Sequence, residues 1–157
     1  MRLGKDVNAL ESLPLKLMIV AIVALMSVIP AGQALEGFRN RDFAMRAQLQ
    51  LETMVSAAQT LMIEGLGGAR SIHFDFSNEG SIRFGSLSIG DSRGGTNMST
   101  VMLRLSVGTS IIRTTSEPPV WMMSKTGETL SVHTPVFDLR FSAQMDNRTT
   151  YVLAELV

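Results

Sequence analysis

The pattern of hydrophobic and polar positions divides the chain into an N-terminal part with helical character and a C-terminal part that alternates with a period of two. The N-terminal part holds an uncharged run from Leu17 to Ala31, LMIVAIVALMSVIPA, in which only Ser27 is clearly polar. With its tolerable flanks, the run reaches roughly the 20 residues that cross a bilayer core. We therefore expect one long helix from about Leu10 to Ile63 that is apolar on every side in its first half.

The second half of this helix is amphipathic. Small or apolar residues recur at spacings of three and four, which places them on one face of a helix: Ala44, Ala47, Leu51, Met54, Ala58, Leu61 and Gly65. The opposite face is polar: Arg46, Gln48, Gln50, Glu52 and Gln59. The segment Gly65-Leu66-Gly67-Gly68 supplies the glycines of a helix C-cap and exit turn. Pro14 falls near the helix start, and Pro30 is expected to kink the helix rather than end it.

After Gly68 the sequence predicts β-strands. Residues 71–76, 101–107 and 137–141 alternate strictly, and shorter candidates are 81–84, 87–89, 110–114, 120–123, 129–133 and 151–156. Turn-forming residues separate them, which is typical of half-buried antiparallel strands in a small sheet or sandwich. The apolar stripe of the helix is the expected cover of this sheet, so the fold class is α+β, with one long helix packed against an antiparallel β-sheet or sandwich.

This pattern predicts four segments along the chain. Residues 1–9 form a short cytoplasmic N-terminal segment, 10–34 a transmembrane or filament-core helix, 35–68 its amphipathic continuation, and 69–157 a β-rich extracellular head.

The apolar run leaves two alternatives open. A secretory signal peptide would be cut near the small residues Ala31-Gly32-Gln33-Ala34, but helix-like sequence follows where a loop is expected. For a membrane anchor, basic residues stand on both sides of the run, so the positive-inside rule barely decides the orientation. A short cytoplasmic N-terminus with the large domain outside is the simpler interpretation.

Composition narrows the classes of function. The chain has 14 Lys+Arg against 14 Asp+Glu, so no basic excess is available for a phosphate backbone, and nucleic-acid binding is not expected. It has no cysteine, which excludes disulfides, thiolate metal sites and a cysteine nucleophile. An exported domain without disulfides leans towards an archaeal source.

The chemically reactive residues do not form a recognisable active site. His73 could pair with Asp75 two residues away, as a base or a metal ligand, and His133 lies five residues before Asp138, but histidines on separate strands are usually exposed surface residues. The segment 90–95, GDSRGG, lacks the P-loop lysine and the alternating acids of a calcium loop, so a hairpin is expected. We predict no enzyme, no cofactor and no metal site. Trp121 is expected in the core, with an exposed interface anchor as the alternative.

Two sequons lie in loop-like surroundings. Asn97-Met98-Ser99 and Asn147-Arg148-Thr149 match the acceptor pattern for N-glycosylation, and both fall in the part expected outside the cell. Asn97 and Asn147 are therefore the candidate glycan sites.

An apolar N-terminal helix that continues under a β-domain resembles the type IV pilin family, in particular archaeal pilins and archaellins, which lack disulfides. The resemblance implies a leader Met1-Arg2-Leu3-Gly4 cut by a prepilin peptidase, with Lys5 as the new N-terminus. Leu3 stands where the family favours a basic residue, and Glu11 is the seventh residue after Gly4. The implied partners are further copies of the chain, the membrane before assembly, and the pilus assembly machinery.

Assembly is expected to use the apolar helix, because outside a membrane only copies of itself could cover it. Glu11 is costly to desolvate unless it is paired with a neighbouring amine or with Lys16. Ala21, Ala24 and Ser27 follow at one-turn spacing, and small residues let helices approach closely.

Two functions follow from this. The first is a structural subunit of an extracellular filament for adhesion or motility. The alternative is a single-pass anchored binding domain, or a minor component of a pilus or secretion apparatus.

Overall fold

The computed structural model describes the backbone from residue 7 to residue 157 and the side chains of residues 14–28 and 30–157. The expected cleavage residues Gly4 and Lys5, and the side chain of Glu11, lie outside the described residues. Between residues 7 and 157 there are one helix and eight strands in chain order: α1 (Val7–Glu64), β1 (Ala69–Asp75), β2 (Phe84–Ile89), β3 (Thr100–Leu105), β4 (Ser110–Thr114), β5 (Met122–Met123), β6 (Leu130–Val132), β7 (Val136–Asp146) and β8 (Thr149–Leu156).

Internal contacts divide the chain into two compact units, one that ends at Phe38 and one from Arg39 to Val157, which we call the head. The helix α1 is continuous through Pro14 and Pro30, so Pro30 does not end it, as expected. It ends where the glycines predicted: Gly65 has φ +88° and its amide donates to the carbonyl of Leu61 at 3.0 Å. Glycine takes this left-handed conformation without steric cost.

The head contains two four-stranded sheets. Sheet A has the order β1-β7-β8-β5 and sheet B the order β4-β3-β2-β6. Their inner faces and the stripe of α1 contribute to a single hydrophobic core. Phe76, which follows β1, stacks on Phe84 of β2 with ring centroids 5.7 Å apart, so an aromatic contact joins the two sheets. This is the predicted α+β arrangement.

The helix stripe is buried largely as predicted. Ala47, Leu51, Met54, Ala58 and Leu61 are buried in the head core, whereas Ala44 and Gly65 are half-buried. Phe43 and Ala57 are also buried, although the predicted stripe did not include them. The stripe is therefore wider than a strict spacing of three and four suggests, and it starts with a large aromatic side chain.

Polar contacts connect α1 to one edge strand of each sheet. Gln50 uses both ends of its amide on β1, the edge strand of sheet A: Nε2 donates to the carbonyl of Asp75 at 2.8 Å, and Oε1 accepts from the Asp75 amide at 3.2 Å. On the edge of sheet B, the Arg113 Nε of β4 lies 3.4 Å from the Glu52 carboxylate. The helix thus contributes apolar burial, hydrogen bonds to the backbone of β1 and an ion pair with a side chain of β4.

Two strand predictions need correction. Residues 81–83 are not a strand, because side chains bind their backbone groups: Ile82 donates to Asn40 Oδ1 at 3.2 Å, and Arg83 donates to Ser106 Oγ at 2.9 Å. The strands are not all antiparallel either, since β5 pairs with β8 in parallel through Met122 and Val152. A strand of two residues carries too little pattern for its direction to be predicted.

The expected burial of Trp121 is wrong. Its neighbours Val120 and Met122 are both fully buried, so Trp121, directly before β5, points outward, where it is 40% exposed. The alternative, an exposed aromatic side chain, is the one that the structure shows.

Strands β7 and β8 are joined by a two-residue turn. Asp146 pairs with Thr149, and the intervening Asn147 and Arg148 have φ +46° and +67°. Positive φ at both central positions defines a type I′ turn, which matches the twist of the flanking strands and favours Asn-Gly. Asn147 suits its position, whereas Arg148 adopts a conformation that is costly for a residue with a Cβ atom.

We expect Leu51→Ala to lower the free energy of unfolding of the head by about 2–5 kcal/mol, because it leaves a cavity in a closed core. The measurement is urea unfolding of the fragment 39–157. Leu49→Ala is the matched control, since Leu49 is 65% exposed on the same helix, and it should change stability by less than about 0.5 kcal/mol. Equal effects of the two variants would contradict this packing.

We expect Arg148→Gly to stabilise the head by about 0.5–1 kcal/mol, because the strain relieved in the turn exceeds the added entropy of the unfolded chain. Arg148→Ala is the control: it removes the same charge but keeps the Cβ atom and the strain. If both variants unfold at the same urea concentration, charge rather than backbone conformation governs this turn.

Candidate membrane and assembly segment

The described part of the first unit is a helix whose side chains are exposed on all sides. Val20, Leu25 and Met26 are 64%, 66% and 71% exposed and point in widely different directions around the axis, since successive residues are 100° apart. In the described part of the chain, α1 is long and apolar enough to span a membrane. No polar stripe interrupts this surface between Leu17 and Val28. The described segment therefore presents an apolar surface on its whole circumference.

The predicted assembly residues lie on this helix. Lys16, Ala21, Ala24 and Ser27 are all exposed. The Ser27 hydroxyl donates to the carbonyl of Val23 at 2.9 Å, so the one polar side chain of the run is satisfied within its own helix. Such a bond lets a serine lie in an apolar environment without an external partner. Ala21 and Ala24 lie one turn apart on this helix.

The two candidate glycan sites are exposed in turns of the head. Asn97 lies in the loop between β2 and β3, and Asn147 lies in the β7–β8 turn. Exposure of the asparagine is what a glycosylation site requires, so both remain candidates. The sequon of Asn97 is held firmly, since Met98 is buried and the Ser99 carbonyl accepts from the Thr115 amide at 2.9 Å.

The two histidines are exposed, and the structure pairs one of them differently from the sequence. His73 on β1 faces Asp138 on β7, with Nδ1 2.8 Å from Oδ1. It does not pair with Asp75, which is nearer in the sequence. Two residues that are two positions apart on one strand share a face. The side chains of residues directly opposite each other on paired strands lie closer together than those do, so His73 pairs with Asp138. Within the described residues, no group of three His, Asp or Glu could hold a metal ion.

The loop between β2 and β3 is a hairpin organised by Asp91. Its carboxylate accepts hydrogen bonds from the amides of Ser92 at 2.8 Å and Asn97 at 3.3 Å. These bonds, that of Ser92 first, hold the pKa of Asp91 below its ordinary value of 3.8. Gly95 packs against this carboxylate so closely that an added Cβ would lie 2.4 Å from Cγ. The acidic group thus serves the loop's own structure.

No family model matches this chain, and no curated protein or solved structure shows a significant similarity to it.

The low pKa of Asp91 predicts a pH-dependent contribution to stability. A depressed carboxyl pKa stabilises the fold above the unfolded value, near 3.9, and this contribution is lost as the pH falls through the lower folded value. We expect the stability difference between the unmodified fragment 39–157 and its Asp91→Asn variant to be largest above about pH 4 and to shrink below it. Urea unfolding over a pH series measures this difference.

Glu117→Gln is the control for the pH series. Glu117 is also exposed, but it lies outside the loop that Asp91 organises. A stability difference for Asp91→Asn that stays constant down to the lowest pH would contradict the assignment.

Proposed function

We propose that this chain is a structural subunit of an extracellular type IV pilus-like filament used in adhesion or motility. It is inserted in the cell membrane by its apolar helix, with the N-terminus inside and the head outside, and is then assembled through that helix with copies of itself. Cleavage after Gly4 by a prepilin peptidase belongs to this proposal.

The observation that carries the proposal is the exposure of the apolar helix on its whole circumference. Burial of apolar surface yields about 25 cal/mol per Å², so such a helix does not stay in water. In a membrane, lipid covers it. Outside a membrane, identical helices can cover each other on every side, whereas a single partner protein would cover one face.

The structure of the head also supports the proposal. Its core is closed by residues of its own unit, from Phe43 on α1 to Ala154 on β8. A head with its own core is expected to remain folded in water whether its helix lies in lipid or in a filament. One chain would then serve both the membrane-resident form and the assembled form.

In this proposal, the small residues of the helix form the contact surface between neighbouring helices. Where lipid and neighbouring side chains are equally apolar, helices associate by close van der Waals packing, which small residues allow. Ala24 lies between Ala21 and Ser27, so it is the central position of this strip.

The decisive experiment separates filament from anchor. Cells that produce the chain are sheared, and the released material is sedimented at high speed. We expect the protein in the sheared pellet as filaments, with an N-terminus at Lys5 when the purified filament protein is sequenced. Retention of all of the protein in the membrane fraction would contradict the proposal and favour the single-pass anchored binding domain.

We expect Ala24→Leu to abolish or sharply reduce filaments at an unchanged membrane level, because added bulk separates the helices while hydrophobicity is kept. Ile22→Leu is the control, since it changes side-chain shape at constant volume on another side of the helix. Filament yield, normalised to the protein in the membrane fraction, is the measurement. An undiminished yield from Ala24→Leu would exclude this strip as the assembly surface.

A further inference from the structure

The only tryptophan and the only tyrosine of the chain line the same depression of the head. We call this depression the aromatic groove. One cavity is lined by Arg93, Met98, Trp121, Met123, Asp146, Thr149 and Tyr151. It shares Arg93, Met123, Asp146 and Tyr151 with a wider depression of about 540 Å³, which also includes Gln144, Lys125 and Glu155. The two together form one continuous surface on the outer face of sheet A.

The fold places both rings on this face. Met122 and Val152 are paired and fully buried, so the residues just before them, Trp121 and Tyr151, point outward side by side. The Val152 amide donates to the Trp121 carbonyl at 2.7 Å, which fixes the backbone under the groove.

The wall of the groove is also fixed. The β2–β3 loop lies directly on β5: the Met122 amide donates to the Met98 carbonyl at 2.8 Å. At Gly90, with φ +66°, an added Cβ would lie 1.9 Å from the Met122 carbonyl oxygen, so only glycine permits this approach. The groove is therefore preformed.

The charges in the groove cancel in pairs. Arg93 Nη1 lies 2.7 Å from Asp146 Oδ2, and Lys125 Nζ lies 3.8 Å from Glu155 Oε1. The Tyr151 hydroxyl donates to Gln144 Oε1 at 3.2 Å. The groove thus offers aromatic faces, hydrogen-bond donors and hydrogen-bond acceptors without a net charge.

We propose that the aromatic groove binds a neutral oligosaccharide. A pyranose ring has an apolar face of C–H groups, which packs on an aromatic ring, and a rim of hydroxyl groups, which bond to amide, carboxylate and guanidinium groups. The depression beside Tyr151 has a volume of about 540 Å³, within the range of about 300–1,000 Å³ of small-molecule sites, and the cavity next to Trp121 adds about 50 Å³. Four charged side chains argue against the core of a protein interface, where charged residues are depleted. This proposal does not depend on filament assembly.

The test uses the full-length chain in a detergent without a sugar headgroup. Because Trp121 is the only tryptophan, its fluorescence reports on the groove alone. Maltotriose, cellotriose and tri-N-acetylchitotriose are titrated as neutral probes, and trigalacturonic acid as an acidic probe. We expect a saturable change with at least one neutral probe, with a Kd of about 0.1–1 mM, and weaker binding of the acidic probe.

Variants separate the groove from other binding. By calorimetry, Trp121→Ala and Gln144→Ala should each weaken binding of the neutral probe, the former at least about tenfold. Ile112→Ala is the control, because Ile112 is an exposed apolar residue on sheet B, and it should leave the Kd unchanged. Circular dichroism confirms that the variants fold, and Gln144→Ala decides if Trp121→Ala does not.

Three results would overturn the proposal. The first is no saturable change with any neutral probe, which would leave the exposed tryptophan as an anchor for a protein partner. The second is binding that is undiminished in the folded groove variants. The third is acidic-probe binding as tight as that of the neutral probes.

Discussion

The head depends on the burial of one face of α1 against two sheets. Leu51, Met54 and Leu61 are fully buried, and they lie in one core with the inner residues of both sheets. The helix stripe covers part of the core that the inner faces of the two sheets share. The hydrogen bonds of Gln50 with the Asp75 backbone and the ion pair of Glu52 with the Arg113 side chain follow from the same placement. A single helix thereby supplies core, cover and edge contacts.

Before Arg39, the apolar residues of the same helix are distributed differently around its axis. There, apolar residues occupy every direction around the axis, and the described side chains are exposed. A stripe suits a helix with one partner on one side, whereas an all-apolar surface suits an environment that is apolar in all directions. The change from one pattern to the other along α1 is the physical basis of the proposed division between an embedded segment and a head in water.

The spacing of apolar and polar residues predicted those features of the fold that depend on the local sequence. The helix, its glycine end, the buried stripe and most strands could be placed from the sequence, because spacing alone decides which residues share a face. The errors arose where distant residues decide. Residues 81–83 do not form a strand, because the amides of Ile82 and Arg83 donate to the side chains of Asn40 and Ser106. His73 pairs with Asp138, which lies 65 positions away in the sequence. Trp121 is exposed because its neighbours Val120 and Met122 are both directed into the core. The aromatic groove could not be predicted, since the pairing of β5 with β8 assembles it.

The hydrogen bonds between the Gln50 side-chain amide and β1 matter when many copies of the head lie close together. An exposed strand edge is a template on which another chain can add a strand, and proteins held at high local density are most exposed to this hazard. Here a side chain of the head's own helix occupies the terminal donor and acceptor of that edge, at Asp75. Part of the template is therefore already occupied before any neighbour arrives. A head protected in this way can stand among many copies of itself with less risk that its sheets merge with theirs.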